Sequence, residues 1–410
     1  MSKVLPVQWL RQEEPYYCGP ASAEMVLKCL GAGSATSVSQ ANLWLDIQNE
    51  TNEVRPDDAP DGASSCPRFD EQECELYGGT VWCCWSTTPE ALARVLNKRQ
   101  SNATYRISVS LADQQATSTL TQSVNSGAPG VALVYGWQHW VVVEGYVSDD
   151  ANQVIAVCIR DPNFEVSSTH QEVDLSFWHY SYLRAVQGGK YQDYVVTVVG
   201  GTAAGAQVGN LPVPSPGESE AEGAGASGGS KPGAEHEDTA PLLPPGKVIE
   251  LANEVVARML GRSERWHVAL AGSEAQSEPL LLEELDRDDD YRYIVTYRQK
   301  DRLTARLLLD ARTGRFAQAV GIDTRGERLL PYVDPVAGLD PVWRRSLRLP
   351  GVSRRIVRNE ALGRHPVLVW KPCRQSTSPF MPFYQFSLGD RLVYLRADGV
   401  WFSQLTTGPA

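Results

Sequence analysis

No stretch of this 410-residue chain approaches the ~18 consecutive apolar residues that a membrane-crossing helix needs. The opening Met-Ser-Lys-Val-Leu-Pro meets a proline and Gln8 before it can build the ~7–15 residue apolar core of a secretory leader. A cytoplasmic location is therefore the expectation, although export by another route would suit the cysteine-rich stretch described below. Positive charge is also scarce. Lys and Arg number 38 against 49 Asp and Glu, a net charge of -11, which argues against general affinity for nucleic acid or anionic membrane. Neither a phosphate-binding Gly-x-x-x-x-Gly-Lys-Ser/Thr loop, nor a Cys-x-x-Cys clamp, nor a long-range repeat is present.

What is present reads as a soluble globular protein, 42% hydrophobic and 21% charged. Its length exceeds the ~100–200 residues of an ordinary domain, so two domains are expected. The run Gly217–Gly233, GESEAEGAGASGGSKPG, has no large apolar side chain to offset its ordering entropy. We therefore expect a domain over 1–200, a flexible linker over 201–246 and an accessory domain over 247–410. In the first domain, helices are expected over Cys18–Leu30 (stopped by Gly31), from Thr88 to about Arg99 and over Asp113–Ser126. Strands follow at Gly130–Tyr135, His139–Val147, Val154–Arg160 and Tyr194–Val199. Helices first and strands second make an α+β pattern. The second domain reads as an amphipathic helix, Lys247–Leu260, on strands at Tyr291–Arg298, Leu303–Asp310, Phe316–Val320, Leu392–Leu395 and Val400–Leu405, again α+β.

Cleaving an amide with a thiol requires an activated sulfur, a base, a group that holds the base, and donors for the oxyanion. The first domain offers all four in a workable order. Cys18 opens a helix whose N-terminal partial charge favours thiolate. Gln12, six residues upstream, is placed to join the Cys18 N–H as oxyanion donor. His139 heads a strand and Asp161 follows the next one, where it can accept a hydrogen bond from the imidazole. That chemistry needs no cofactor and no metal, and its partner is a peptide or protein substrate.

These residues also carry a resemblance. Gln12, Tyr17-Cys18-Gly19-Pro20-Ala21-Ser22, Gly127-Ala128-Pro129-Gly130, His139-Trp140-Val141-Val142-Val143-Glu144-Gly145-Tyr146 and Asp161-Pro162 resemble, in order, the bacteriocin-processing (double-glycine) branch of papain-like cysteine peptidases. The resemblance covers roughly the first half of the chain. It implies a papain-like fold, with Gln12 as oxyanion donor, Cys18 as nucleophile, His139 as base and Asp161 as orienter. Cys18 is followed by Gly-Pro rather than an aromatic, so cathepsin-like specificity is not implied. Without a nucleotide-binding loop or spans in these 410 residues, the transporter-fused form is not the expectation. The insertion from about Arg55 to Trp85 has no counterpart in it.

Each candidate has a plainer reading. An isolated Cys18 would be a buried helix-start thiol, and an isolated His139 a strand-edge histidine. Asp161 could cap the turn before Pro162, with Asn163 as a stand-in for its role. His170 and His179 are rival bases, both later than Asp161. Cys66, Cys74, Cys83 and Cys84 lack the Cys-x-x-Cys clamp of structural zinc and read first as a structural loop, with disulfides in an oxidising compartment or a metal as the open alternatives. Cys29, Cys158 and Cys373 read as core or isolated thiols, and Trp82, Trp85, Trp137 and Trp140 as packing residues before groove residues. Asp286-Arg287-Asp288-Asp289-Asp290 reads as a solvated turn. The stretch Tyr291–Val320 resembles small PepSY-type or cystatin-like modules, and the long flexible tether suggests that the second domain docks on the first and regulates it. An acyltransferase of the transglutaminase or phytochelatin-synthase kind, and an inactive binding protein, are the competing functions.

Overall fold

The computed structural model describes residues 2–14, 17–31, 38–53, 87–136, 138–163, 168–186, 191–201, 240–300, 302–322, 366–373, 375–388 and 391–406. The expected linker core and the insertion carrying Cys66, Cys74, Cys83, Cys84, Trp82 and Trp85 lie outside them, as does Trp137. Among the described residues no helix is long and apolar enough to cross a membrane.

Helix α1, Cys18–Cys29, is buried on nearly every side through Leu27, so it is a core helix rather than an amphipathic one. Leu30 caps it and Gly31, at a φ of 68°, turns the chain away, a conformation glycine adopts without a Cβ penalty. Helix α2, Gln40–Glu53, is too polar to announce itself in the sequence. Helix α3, Pro89–Arg99, has the expected start: Thr88 Oγ1 accepts from the Ala91 N–H at 3.2 Å and proline fills the first turn. Helix α4, Asp113–Asn125, follows, and a short helical turn over Leu175–Phe177 with a π-helical turn over Trp178–Tyr182 lies further along the chain.

The strands of this half are β1 (Ser2–Val4), β2 (Thr104–Ser110), β3 (Gly130–Val134), β4 (His139–Ser148), β5 (Val154–Arg160), β6 (Ser168–Asp174) and β7 (Val195–Gly201). In β4, positions 139 to 145 are buried on both faces, which accounts for the unbroken Val141-Val142-Val143 run where a one-sided strand would alternate. Gly145 lets β1 lie across β4, since a Cβ there would sit 2.4 Å from the Lys3 carbonyl oxygen.

The remaining elements are α5 (Pro245–Arg262), α6 (Glu264–Leu270), β8 (Glu274–Ala275), β9 (Leu280–Glu284), β10 (Tyr291–Gln299), β11 (Arg302–Asp310), β12 (Phe316–Ile322), β13 (Val367–Trp370), β14 (Phe383–Leu388), β15 (Arg391–Arg396) and β16 (Trp401–Phe402). The expected boundary at residues 201–246 does not interrupt the sheet. The order runs β16-β15-β14-β13-β9-β10-β11-β12-β6-β5-β4-β3-β7-β2, and β12 pairs with β6 from Gln318↔Val173 to Ile322↔Ser168. One apolar cluster accordingly holds Val143, Ile159 and Tyr182 together with Ile294, Leu308 and Val320. Where a tethered lobe was expected, the C-terminal half extends the same sheet.

Charge pairs run along this junction. Glu144, fully buried on β4, takes Arg160 Nε at 2.8 Å on one oxygen and Arg265 Nη1 of α6 at 3.2 Å on the other. Trp266 Nε1 donates to Glu172 of β6 at 2.9 Å, which explains how that polar strand sits in the interior. The acidic turn 286–290 keeps Asp286, Asp288 and Asp289 exposed, as expected, while the Arg287 guanidinium within it stacks on the Tyr180 ring at 3.1 Å. A buried carboxylate stripped of a partner is costly, so Arg160→Met is expected to destabilise the chain by about 3–5 kcal/mol in chemical denaturation. A loss below about 1 kcal/mol would show that Arg265 alone neutralises Glu144.

Candidate active site

Antiparallel pairing of β4 with β5 puts Val142 opposite Arg160. One step further along that register, Asp161 lies across from Val141, and His139 shares Val141's face two residues away. A diagonal pair of this kind is within reach of long side chains. The His139 Nε2–H indeed donates to Asp161 Oδ1 at 2.7 Å, with the two residues 2% and 1% exposed. That leaves Nδ1 as the ring nitrogen for a second partner, and the sulfur neighbouring the imidazole is that of Cys18, the first residue of α1.

Local backbone geometry aims these groups. Ser22 Oγ donates to the Trp140 carbonyl at 3.3 Å, fixing α1 against β4 one residue beyond His139. Any side chain at Gly19 would bring a Cβ within 2.2 Å of Thr87 Oγ1, so only glycine lets the helix start approach this closely. Before His139, Tyr135 and Gly136 both take left-handed conformations, with φ of 58° and 78°. Tyr135 is held there by its N–H to the Tyr182 carbonyl at 2.8 Å and by its ring against Tyr182, 4.9 Å between centroids.

Two hydrogen bonds fix Asp161 and a third fixes the residue after it. The Asn163 N–H donates to Oδ1 at 2.8 Å, beside the imidazole bond. Trp9 Nε1 donates to the Asp161 carbonyl at 2.8 Å, and the Gln12 N–H to the Pro162 carbonyl at 2.9 Å. The N-terminal strap thus buttresses the aspartate, a role for Trp9 that no local motif signals. The Gln12 amide donates to the Glu14 carbonyl at 3.1 Å, the same oxygen that accepts the Tyr17 N–H at 3.0 Å, so it sits on the turn leading into Cys18.

Burial works against charge on the His139 ring. The Asp161 carboxylate, its hydrogen bond and the neighbouring Cys18 sulfur outweigh that cost and hold the imidazole up to about 10, from an ordinary 6.5. The other described cysteines lie elsewhere. Burial pushes the thiols of Cys29 and Cys158 up and that of Cys373 up to about 11. The rival base His179 is instead partnered by Thr117 Oγ1 at 2.9 Å, and burial lowers it. His170 lies on β6, and its side chain is outside the described residues. Trp140 is a packing residue, wholly buried with its Nε1 on the Thr87 carbonyl at 3.2 Å. Among the described residues no three His, Cys, Asp or Glu gather as a metal site.

Residues 4–189 match the Peptidase_C39 like family. A solved structure described as a double glycine motif protease from an AMS/PCAT transporter in complex with the leader peptide aligns with 49% of this chain and 94% of its own, at 10% identity. Its TM-score of 0.27 is too low to support an argument. No curated protein matches the chain.

The electrostatics set a pH dependence. The folded value of His139 lies above its unfolded 6.5, so the imidazolium adds stability that is complete below pH 6.5 and is lost as pH rises through about 10. Asp161→Asn removes the charge responsible. Denaturation at pH 6, 8 and 10 is expected to show wild type losing stability relative to Asp161→Asn across that window. Parallel profiles would contradict the ion pair.

Proposed function

Because residues 4–189 form a Peptidase_C39-like segment, we propose that the protein is a cysteine peptidase acting through Cys18, His139, Asp161 and Gln12. The observation that supports this best is selective: of the described cysteines, Cys18 has an imidazole beside it, and a buried carboxylate holds that imidazole charged. The papain-like arrangement of the N-terminal half belongs to the same proposal, as does a peptide or protein substrate.

In this reading the Cys18 thiolate attacks a peptide carbonyl, and the Sγ–C bond forms as the carbonyl π pair moves onto oxygen. The resulting oxyanion is met by the Cys18 N–H and the Gln12 side-chain amide. Asp161 does not exchange a proton; it keeps the ring oriented and charged. The His139 imidazolium gives its proton to the leaving amine as the C–N bond breaks, which leaves an acyl-enzyme and a neutral ring. His139 then takes a proton from water, whose oxygen attacks the thioester. The acid is released and the thiolate–imidazolium pair is restored. No cofactor enters any step.

Members of such a set act as a unit, so Cys18→Ala and His139→Ala are each expected to lower peptide hydrolysis by ~10³-fold or more. In parallel, iodoacetamide is expected to label wild-type Cys18 ahead of Cys29, Cys158 and Cys373, and to lose that preference in His139→Ala. Hydrolysis by Cys18→Ala at the wild-type rate would rule the assignment out.

A further inference from the structure

The carboxylate that holds His139 is itself held by a residue whose side chain reaches into the C-terminal half. Asn163 uses its N–H on Asp161 Oδ1 at 2.8 Å and its side-chain Nδ2 on Thr377 Oγ1 at 3.0 Å, a contact spanning 214 positions. Thr377 is 4% exposed, between Ser376 and Ser378 at 3% each, so its hydroxyl belongs to the interior and not to a mobile surface.

The turn carrying it is pinned throughout. The Cys373 and Ser376 backbones exchange hydrogen bonds at 3.0 and 3.1 Å, and Ser376 Oγ donates to the Ser378 carbonyl at 3.1 Å. Buried Arg306 on β11 donates to the Phe380 carbonyl at 3.2 Å. Beside this turn Trp370 of β13 meets the Tyr135 ring edge-on at 6.1 Å, against the turn that delivers His139. Two separate elements of the C-terminal half therefore bear on the two strand ends that carry His139 and Asp161.

We propose that Thr377 is a positioning residue for this site: through Asn163 it fixes the second donor on Asp161 and so the orientation and charge of His139. The inference rests on the peptidase reading and deepens it, since the C-terminal half would then complete the site instead of acting as a detachable regulator. Thr377 touches neither sulfur nor substrate in this account. Its effect passes through the Asn163 side chain, the peptide following Pro162 and the Asp161 carboxylate. Pro162 keeps that route short, because its ring fixes one backbone angle between Asp161 and Asn163.

The test uses the full chain and the rate of Cys18 alkylation by iodoacetamide, resolved by site with mass spectrometry from pH 5 to 10.5. Thr377→Val keeps the shape and removes the hydroxyl. It is expected to slow Cys18 alkylation at pH 7 about fivefold, the factor matching one ordinary buried hydrogen bond. It should also move the high-pH limb governed by His139 to lower pH, because a looser Asp161 holds the imidazolium less well. Thr377→Ser restores the acceptor and is expected to return rate and profile to within about twofold of wild type. Asn163→Ala alone and Asn163→Ala with Thr377→Val should match each other, since the second change removes a bond already lost. On a fast-reacting wild type, an unchanged rate and profile in Thr377→Val overturns the proposal. So does an equal loss in Thr377→Ser, which would assign the effect to packing. A wild-type Cys18 no more reactive than Cys29 overturns the peptidase reading itself, and this inference with it.

Discussion

A 2.7 Å hydrogen bond between His139 and Asp161, with almost no water around it, is the constraint on which the rest of the site depends. A carboxylate 1% exposed is stable as an anion only with a cation and good donors against it. The imidazolium supplies the first, and the Asn163 N–H beside the ring bond supplies a further donor. Reciprocally, the carboxylate is what keeps the ring charged where burial alone would discharge it. The strands must end where they do for this to happen. His139 opens β4 and Asp161 follows Arg160 at the close of β5, so the two groups meet at neighbouring strand ends, where the imidazole lies beside the first residue of α1.

Much of the surrounding structure serves that meeting. The strap through Trp9 and Gln12 fixes the backbone of Asp161 and Pro162. The left-handed Tyr135-Gly136 turn sets the direction in which the chain enters β4. The C-terminal half adds its own supports by continuing the sheet beyond β6 and by anchoring buried Glu144 through Arg265. These contacts give the halves a shared interior.

The candidate site was legible in the sequence because its parts carry local signals. Cys-Gly-Pro marks a helix start, and Thr88-Pro89 another. Doubly buried strands such as β4 announce themselves as β-branched runs. What was not legible depends on distant partners. β6, reading STHQEVD, has no apolar alternation, yet Gln171 and Glu172 are 1% and 4% exposed because β12 and Trp266 cover them from about 95 to 150 positions later. The expectation of two domains rested on chain length and the Gly217–Gly233 run, and neither signals the pairing of β6 with β12. The polar helix α2 escaped notice for a similar reason, and Trp9 and Thr377 sit in stretches with no pattern at all. The contacts they make exist only after folding.

The charge on the His139 ring is the most direct check on the account. Nitrogen-15 NMR of the full chain can follow both ring nitrogens from pH 5 to 11. The account predicts an imidazolium that persists through pH 8 and titrates near 10, with Nε2–H hydrogen-bonded to Asp161, and that shifts downward in Asp161→Asn. A ring titrating near its ordinary 6.5, indifferent to changes at both Asp161 and Cys18, would contradict it.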